Sequence, residues 1–380
     1  MINEINNWVK KNEEKIKETY RHLHTNAEIS WKETETTTFL CAKLEKLGIR
    51  YETFENQTGV VGYWGERKDG PTVGIRADID ALWQLVDGKW QANHSCGHDG
   101  HMTMVLHAIT CLKEIGFEPT GVIKIIFQPA EETGNGAKAI IKTGVIEDLN
   151  YLIGLHVRPV QEMPFGVASP AIYHGATTHL KGEVKGTQAH ASRPNLGINV
   201  VDSIGAIIHA INSIKIDPTA SASVKITMVR AGGDSFNIIP DLGEFGIDVR
   251  AESNAVMEDL LEKVQHAALT AGAANFAMVS LTTQASMVAA ESCQMLEGIV
   301  EEAIVEALGE NGLVPPFVTP GGEDFHFYKK NYPNLEATMV GLGTGLAPGL
   351  HHPNMTFNLD ALLNGVKILS FSLVKVLEKN

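Results

Sequence analysis

Cysteine is scarce. The four present in 380 residues, Cys41, Cys96, Cys111 and Cys293, are too few and too scattered for a disulfide framework in so long a chain. Reduced thiols are the expectation, and any special role belongs to one cysteine. Long apolar runs are missing too: no stretch of about 18 residues escapes interruption by glycine, proline or charge, which excludes a membrane-spanning helix. The opening segment, Met1 to Tyr20, is studded with lysine and glutamate and lacks the apolar core of a secretory signal, so the chain is expected in the cytoplasm. There is no run rich in lysine and arginine, and the net charge of -14 repels phosphate backbones and anionic membranes. Nucleic acid and membrane are therefore not expected partners. No internal repeat or low-complexity segment is evident, which argues against a solenoid.

What is present is ordinary for a globular protein: 44% hydrophobic residues and 20% charged ones. The length favours two domains, or one with a large insertion. An amphipathic pattern from Glu4 to Arg21 predicts one helix, and Thr36 to Leu47 a second that stops at Gly48. Short apolar runs at Thr58 to Trp64, Thr72 to Ile75, Val122 to Phe127 and Tyr151 to His156 then alternate with a helical Met102 to Ile115. This rhythm predicts an α/β catalytic domain built on an open mixed sheet with helices on both faces. Between Thr177 and Gln284 the order becomes strand, helix, strand, strand, helix, strand, an α+β unit of ferredoxin-like βαββαβ type. After it a helix (Ser292 to Leu308), a strand (Leu335 to Gly341) and a closing helix (Leu362 to Leu377) resume the first pattern. The expected boundaries are 1–175 and 286–380 for the catalytic domain and 176–285 for the insertion.

The densest chemistry lies in His94-Ser-Cys96-Gly-His98-Asp99-Gly-His101, where imidazole, thiol and carboxylate donors crowd between a loop and a helix start. Cys96 and His98, two apart, are able to face one divalent ion. The same residues also read as a polar helix-cap loop. Gln128-Pro-Ala-Glu131-Glu132 follows the apolar run Val122 to Phe127, and the carboxyl ends of strands are where sites assemble in open α/β sheets. Adjacent carboxylates there allow one to bind metal while the other handles protons, although two solvated acids at a helix start would look the same. His156 ends a strand and His351 lies in a loop rich in glycine and proline. Each taken alone fits a satisfied core or surface histidine. All four features fall in one half of the fold, each at a strand end or the loop after it.

The order of motifs is more specific than any one of them. Arg76-Ala-Asp78-Ile-Asp80-Ala-Leu, Cys96-Gly-His98-Asp99, Gln128-Pro-Ala-Glu131-Glu132, Gly154-Leu-His156, Gly186-Thr-Gln-Ala-His190, Asn237-Ile-Ile-Pro240-Asp241, Gly322-Glu-Asp324-Phe and His351-His-Pro353 span nearly the whole chain. In that order they resemble the aminoacylase and carboxypeptidase G metallopeptidase family. The similarity is greatest to its hippurate hydrolase and auxin-conjugate hydrolase branch, which includes bacterial amidohydrolases and in which cysteine replaces a metal-bridging acid. The resemblance implies two divalent metal ions per subunit, bridged by Cys96 and held also by His98, Glu132, His156 and His351. It implies Glu131 as general base, and His190 on a lid domain as an oxyanion donor reaching across a homodimer that pairs through the lid. Asp80 matches the acid that supports the ligands, with Asp78 the alternative. Zinc or manganese suits the donor set best, with cobalt or nickel also able to fill it.

The chemistry is coherent. An amide carbon is a poor electrophile, so metals polarise the carbonyl and lower the pKa of water, while Glu131 moves the proton to the leaving nitrogen. Arg250, Asn237 and the Gly321-Gly322 backbone are candidates for a substrate carboxylate. They read equally as a surface ion-pair residue, a turn former and a flexible bend. The expected function is therefore hydrolysis of the C–N amide bond of N-acyl amino acids or similar small conjugates. The alternatives are a dipeptidase or carboxypeptidase, a binding protein that has lost turnover, or a protein with one structural metal. Three segments depart from the family pattern: Asn26 in place of proline, the stretch Phe325 to Lys330, and Trp83 to Asn93. The last carries Trp83 and Trp90, both expected in the core, where the family has a proline and an acidic loop.

Overall fold

The apolar runs Thr72–Asp78 and Tyr151–Pro159 form strands buried along their whole length, as does all but the first residue of Val122–Gln128. This is the pattern of strands covered on both faces. In the computed structural model, which describes residues 1–66 and 70–379, they form the centre of a seven-stranded mixed sheet. Its order is Arg50–Thr53, Val60–Gly65, Val122–Gln128, Thr72–Asp78, Tyr151–Pro159, Glu336–Leu346 and Ala168–Ser169. The four middle strands of that order, from Val122–Gln128 to Glu336–Leu346, are parallel. Register pairs Asp78 with Gln128, Arg76 with Gly154, and Gly341 with His156. The carboxyl ends of these strands therefore finish at one level, with Asp78 and His156 abreast. That level is where an open parallel sheet offers a site.

Helices His98–Glu114, Gln294–Leu308 and Asp360–Glu378 form one set packed on this sheet, and the short helices Gly136–Lys142 and His326–Asn331 form another. The chain divides into two compact units. The first comprises Met1–Tyr173, Glu291–Val318 and Asp324–Asn380, and the second His174–Ala290 with Thr319–Glu323. Among the described residues no helix is long and apolar enough to cross a membrane.

In the second unit four antiparallel strands lie in the order Ala222–Ala231, Leu242–Ala251, Ala176–Lys185 and Met278–Met287. Alternate residues of Ala176–Lys185 are buried, which gives the sheet one apolar face. Helix Val200–Asn212 supplies Ile204, Ile207 and Ile211, and helix Asn254–Ala274 supplies Leu260 and Val264, to a core shared with Phe245 and Ile247. Asn199 and Ser253 cap these helices by accepting the N–H groups of Val201 and Val256.

Two local expectations are corrected. The helix anticipated from Glu4 to Arg21 is two helices, Ile2–Lys11 and Glu13–Thr25. Asn12 interrupts it, its side-chain amide donating to the Trp8 carbonyl at 2.9 Å, the backbone competition that disfavours asparagine inside helices. The tryptophans expected in the core are exposed, Trp83 at 57% and Trp90 at 62%. They belong to a hairpin, Leu82–Val86 with Lys89–Asn93, closed by Asp87 and Gly88 at φ 49° and 79°. Positive φ at both central residues is the signature of a tight two-residue turn. Trp83, Leu85 and Trp90 share one face of this ribbon, and that face is uncovered.

Gly182 tests the packing of the second unit, since a Cβ there would lie 2.1 Å from Cζ of the fully buried Phe245. Gly182→Ala is expected to cost about 1–3 kcal/mol through displacement of that ring. Urea unfolding followed by circular dichroism measures it; an unchanged midpoint would contradict the packing.

Candidate metal centre

Cys96 and His98 are aimed by a glycine between them. Gly97 has φ 86°, and a Cβ on it would fall 2.5 Å from Cγ2 of Val157, so a side chain has neither the conformation nor the space. The left-handed turn ends the loop and starts helix His98–Glu114, leaving Cys96 just outside the helix and His98 at its first position. Tyr151–Pro159 brings His156 to the same point, with Cys96 Sγ 3.6 Å from His156 Nε2. His351 arrives on the loop after Glu336–Leu346, its N–H bonded to the Ser95 carbonyl.

The five expected ligands converge. Donor atoms of Cys96, His98 and His156 lie within 4.8 Å of one another, and so do those of Cys96, Glu132 and His351, with Cys96 common to both groups. A third group within this distance is His98, Glu131 and Glu132. Two imidazoles are oriented from behind: His156 Nδ1 donates to the Val157 carbonyl at 2.6 Å and His98 Nδ1 to the Asp80 carbonyl at 2.8 Å. Each bond puts a proton on Nδ1 and turns Nε2 toward the cluster. His98 Nε2 is buried with no hydrogen-bond partner among the described residues, while Glu132 Oε1 lies 3.3 Å from His351 Nε2. An orphaned polar atom of this kind is costly in a protein interior unless something else binds it.

The electrostatics ask for a cation at the same place. Burial pushes the Cys96 thiol up, and the Glu132 carboxylate adds to the effect. Contacts with Cys96 and Glu132 push His351 up to about 10. The cluster thus favours positive charge, and the mixture of thiolate, imidazole and carboxylate suits divalent zinc or its neighbours. The residues fit a metal site.

Glu131 and Glu132 begin a single 3₁₀ turn, Glu131–Thr133, and the helix starts only at Gly136. Ala130, just before them, has φ 53°, a left-handed conformation that a non-glycine residue adopts only when held. Asp80 does part of the holding. Its Oδ1 accepts the Glu131 N–H and its Oδ2 the Glu132 N–H, both at 3.1 Å, and Oδ2 also takes the Ser30 hydroxyl at 2.6 Å. Glu33 does the rest, accepting the Ala130 N–H at 2.9 Å while Thr58 donates to its other oxygen. Fully buried, Glu33 was invisible to motif reasoning, because a lone glutamate ahead of a threonine cluster signals only a helix start.

Asp78 points elsewhere. It accepts from His101 Nδ1 at 2.6 Å and Arg76 at 2.7 Å, and lies 3.7 Å from His98 Nε2. Burial alone would raise its carboxyl, but His98, Arg76 and His101 together hold it well below the usual range. Arg76 also binds Asp324 at 3.0 Å, and the Asp324 N–H faces Glu131 Oε1 at 3.5 Å. His190, Asn237, Arg250 and Gly322 all belong to the second unit. There His190 is exposed beside Asn237, whose carbonyl accepts the Ala191 N–H, and Arg250 bonds Asp248 and the Pro320 carbonyl.

Residues 74–374 match the model of peptidase family M20/M25/M40. The chain belongs to this family. N-acetylcysteine deacetylase of Bacillus subtilis (strain 168) is 30% identical over 376 residues, covering 94% of this chain and 96% of its own. Hippurate hydrolase of Campylobacter jejuni is 34% identical over 267 residues, covering 65% and 67%. Among solved structures, the Bacillus subtilis YXEP protein, described as a dinuclear metal binding peptidase of the M20 family, superposes with a TM-score of 0.83. It is 26% identical and covers 98% of this chain and 99% of its own. The chain is thus a metal-dependent hydrolase of family M20/M25/M40, with named amidohydrolases of amino-acid conjugates among its relatives.

Two outcomes follow for groups around the site. Glu33→Ala strands the buried Ala130 N–H and is expected to cost about 1–3 kcal/mol of stability, read by thermal or urea unfolding. His24 bonds the buried Asp99 at 2.7 Å, and this bond raises its pKa above 6.5. Its stabilisation is complete below pH 6.5 and is lost as pH rises through the raised value. The stability gap between wild type and His24→Gln should accordingly shrink from pH 6 to alkaline pH. A gap that widened would reverse the sign.

Proposed function

We propose that the chain hydrolyses the amide C–N bond of N-acyl amino acids or similar small conjugates. Cys96 would be shared by two divalent ions, with His98, Glu132, His156 and His351 completing their coordination. The observation that carries this reading is the position of Cys96 in two candidate ligand groups at once, with Glu131, a member of neither, grouped with His98 and Glu132. Bound there, the ions supply polarisation of the scissile carbonyl and a lowered pKa for water.

The protein's own residues do the rest. Glu131 accepts a proton from water as the water oxygen adds to the carbonyl carbon, then gives it to the nitrogen, so that the C–N bond breaks to a carboxylate and an amine. Asp80 holds the backbone that carries Glu131 and Glu132, of which one handles protons while the other holds metal. His190 is proposed as the donor to the developing oxyanion, supplied across a homodimer. Arg250, Asn237 and the backbone at Gly322 are proposed partners of the substrate carboxylate. Zinc or manganese, a cytoplasmic location and dimerisation through the inserted unit complete the reading. Its substrate class draws support from relatives named for N-acetylcysteine and hippurate.

A panel of N-acetyl and N-benzoyl amino acids against matched dipeptides tests it. Metal-loaded wild type should turn over the acyl amino acids, and Glu131→Gln should lose roughly 100-fold or more in kcat with metal content unchanged. Equal, negligible rates for both proteins would sink the hydrolytic assignment, and faster cleavage of dipeptides would redirect it to a peptidase. Cys96→Ala should lower metal content and activity together.

A further inference from the structure

His351 is the exposed member of the ligand set. Its side chain is 53% accessible, and its backbone sits at φ 62°, in the left-handed region that disfavours a residue with a Cβ. Burial does not fix this ring; its Nε2 lies 3.3 Å from Glu132 Oε1, and the backbone of its loop is held separately. Its N–H is held by the Ser95 carbonyl at 2.8 Å. Its carbonyl accepts from Gln84 Nε2 at 2.8 Å, and the Pro353 carbonyl, two residues on, accepts from Asn93 Nδ2 at 3.0 Å. Asn93 Nδ2 also donates to Gln84 Oε1 at 2.9 Å, tying the two amides together across the hairpin.

Pairing of Leu82 with Asn93 and of Gln84 with Gln91 puts Gln84 and Asn93 on the face opposite Trp83, Leu85 and Trp90. One face of the ribbon thus grips the His351 loop from the side that Ser95 leaves free. These residues fall in the segment whose sequence is expected to depart from the family pattern.

We infer that the hairpin Leu82–Asn93 is a clamp that positions His351 for metal binding, with Gln84 and Asn93 as its positioning residues. The inference rests on the two-ion reading proposed above. The clamp touches neither imidazole nitrogen, so it acts on where the ring stands and not on its basicity. Without it the loop has to be ordered at the moment the ion binds, which weakens binding at the ion that His351 serves and spares the other. Partners that orient a ligand are typically worth about 10- to 100-fold in metal affinity.

The test is a Zn²⁺ titration of metal-free full-length protein, by competition with a chromophoric chelator. Wild type, Gln84→Met, Asn93→Ala, the double variant, and Trp83→Ser from the opposite face as control are compared, with thermal unfolding of each run alongside. Wild type should bind two equivalents. In the clamp variants one equivalent should weaken by about 10- to 100-fold while the other keeps its affinity, with Trp83→Ser unchanged. Two equivalents at wild-type affinity in the clamp variants overturn the inference. So does equal weakening of both equivalents, or a matching loss in Trp83→Ser, because each marks general loosening of the fold. If the double variant does not fold, the single variants decide. A wild type that binds fewer than two equivalents overturns the two-ion reading itself, whatever the variants do.

Discussion

The carboxylate of Asp80 is the point on which the centre depends. It is buried at the end of a parallel strand, and it joins three segments far apart in sequence. Ser30 reaches it from the N-terminal region, the N–H groups of Glu131 and Glu132 from the turn after the neighbouring strand, and His98 Nδ1 lies 3.4 Å away at the helix start. Burial works against its charge, and His98, Ser30 and the Glu132 N–H hold its pKa below the ordinary value all the same. An ionised carboxylate in that position fixes the backbone that carries two other carboxylates. Glu33 completes the arrangement by holding the Ala130 peptide, so the left-handed residue before Glu131 is maintained from both sides.

Around Asp80 runs a second buried ionic system, Asp78 with Arg76 and His101, and Arg76 with Asp324 and Gln128. It links the ends of adjacent parallel strands and contains a guanidinium that is only 1% exposed. Its groups are paired with each other, which is the condition under which charges are tolerated inside a protein. The candidate ligand cluster differs in leaving the buried His98 Nε2 without a hydrogen-bond partner among the described residues.

Much of this was legible in the sequence, for identifiable reasons. Fully buried strands leave continuous apolar runs, so Val122–Gln128 and Tyr151–Pro159 announced themselves, and the change in the order of strands and helices after Thr177 pointed to the second unit. Cys96, His98, Glu131 and Glu132 stood out as donor-rich motifs, whereas His156 and His351, each readable alone as an ordinary histidine, entered the candidate set only through the resemblance of the ordered motifs. Glu33 and Gln84 did not, because their contacts are with backbone groups about 97 and 267 residues away, and no local pattern encodes such a partner. Trp83 and Trp90 misled for the opposite reason. Their composition spoke for a core, but a lone two-stranded ribbon covers only one of its faces.

The order of strands in the large sheet has a consequence for biosynthesis. Glu336–Leu346 lies between Tyr151–Pro159 and Ala168–Ser169, although the second unit and a long helix separate it from both along the chain. A nascent chain emerging from the ribosome has a gap in its sheet until this strand arrives, while the intervening unit has all four of its own strands and can fold first. His351 follows the gap-filling strand within a few residues. Closure of the sheet and completion of the candidate ligand set therefore coincide, so an unfinished chain holds only part of the proposed cation-binding cluster.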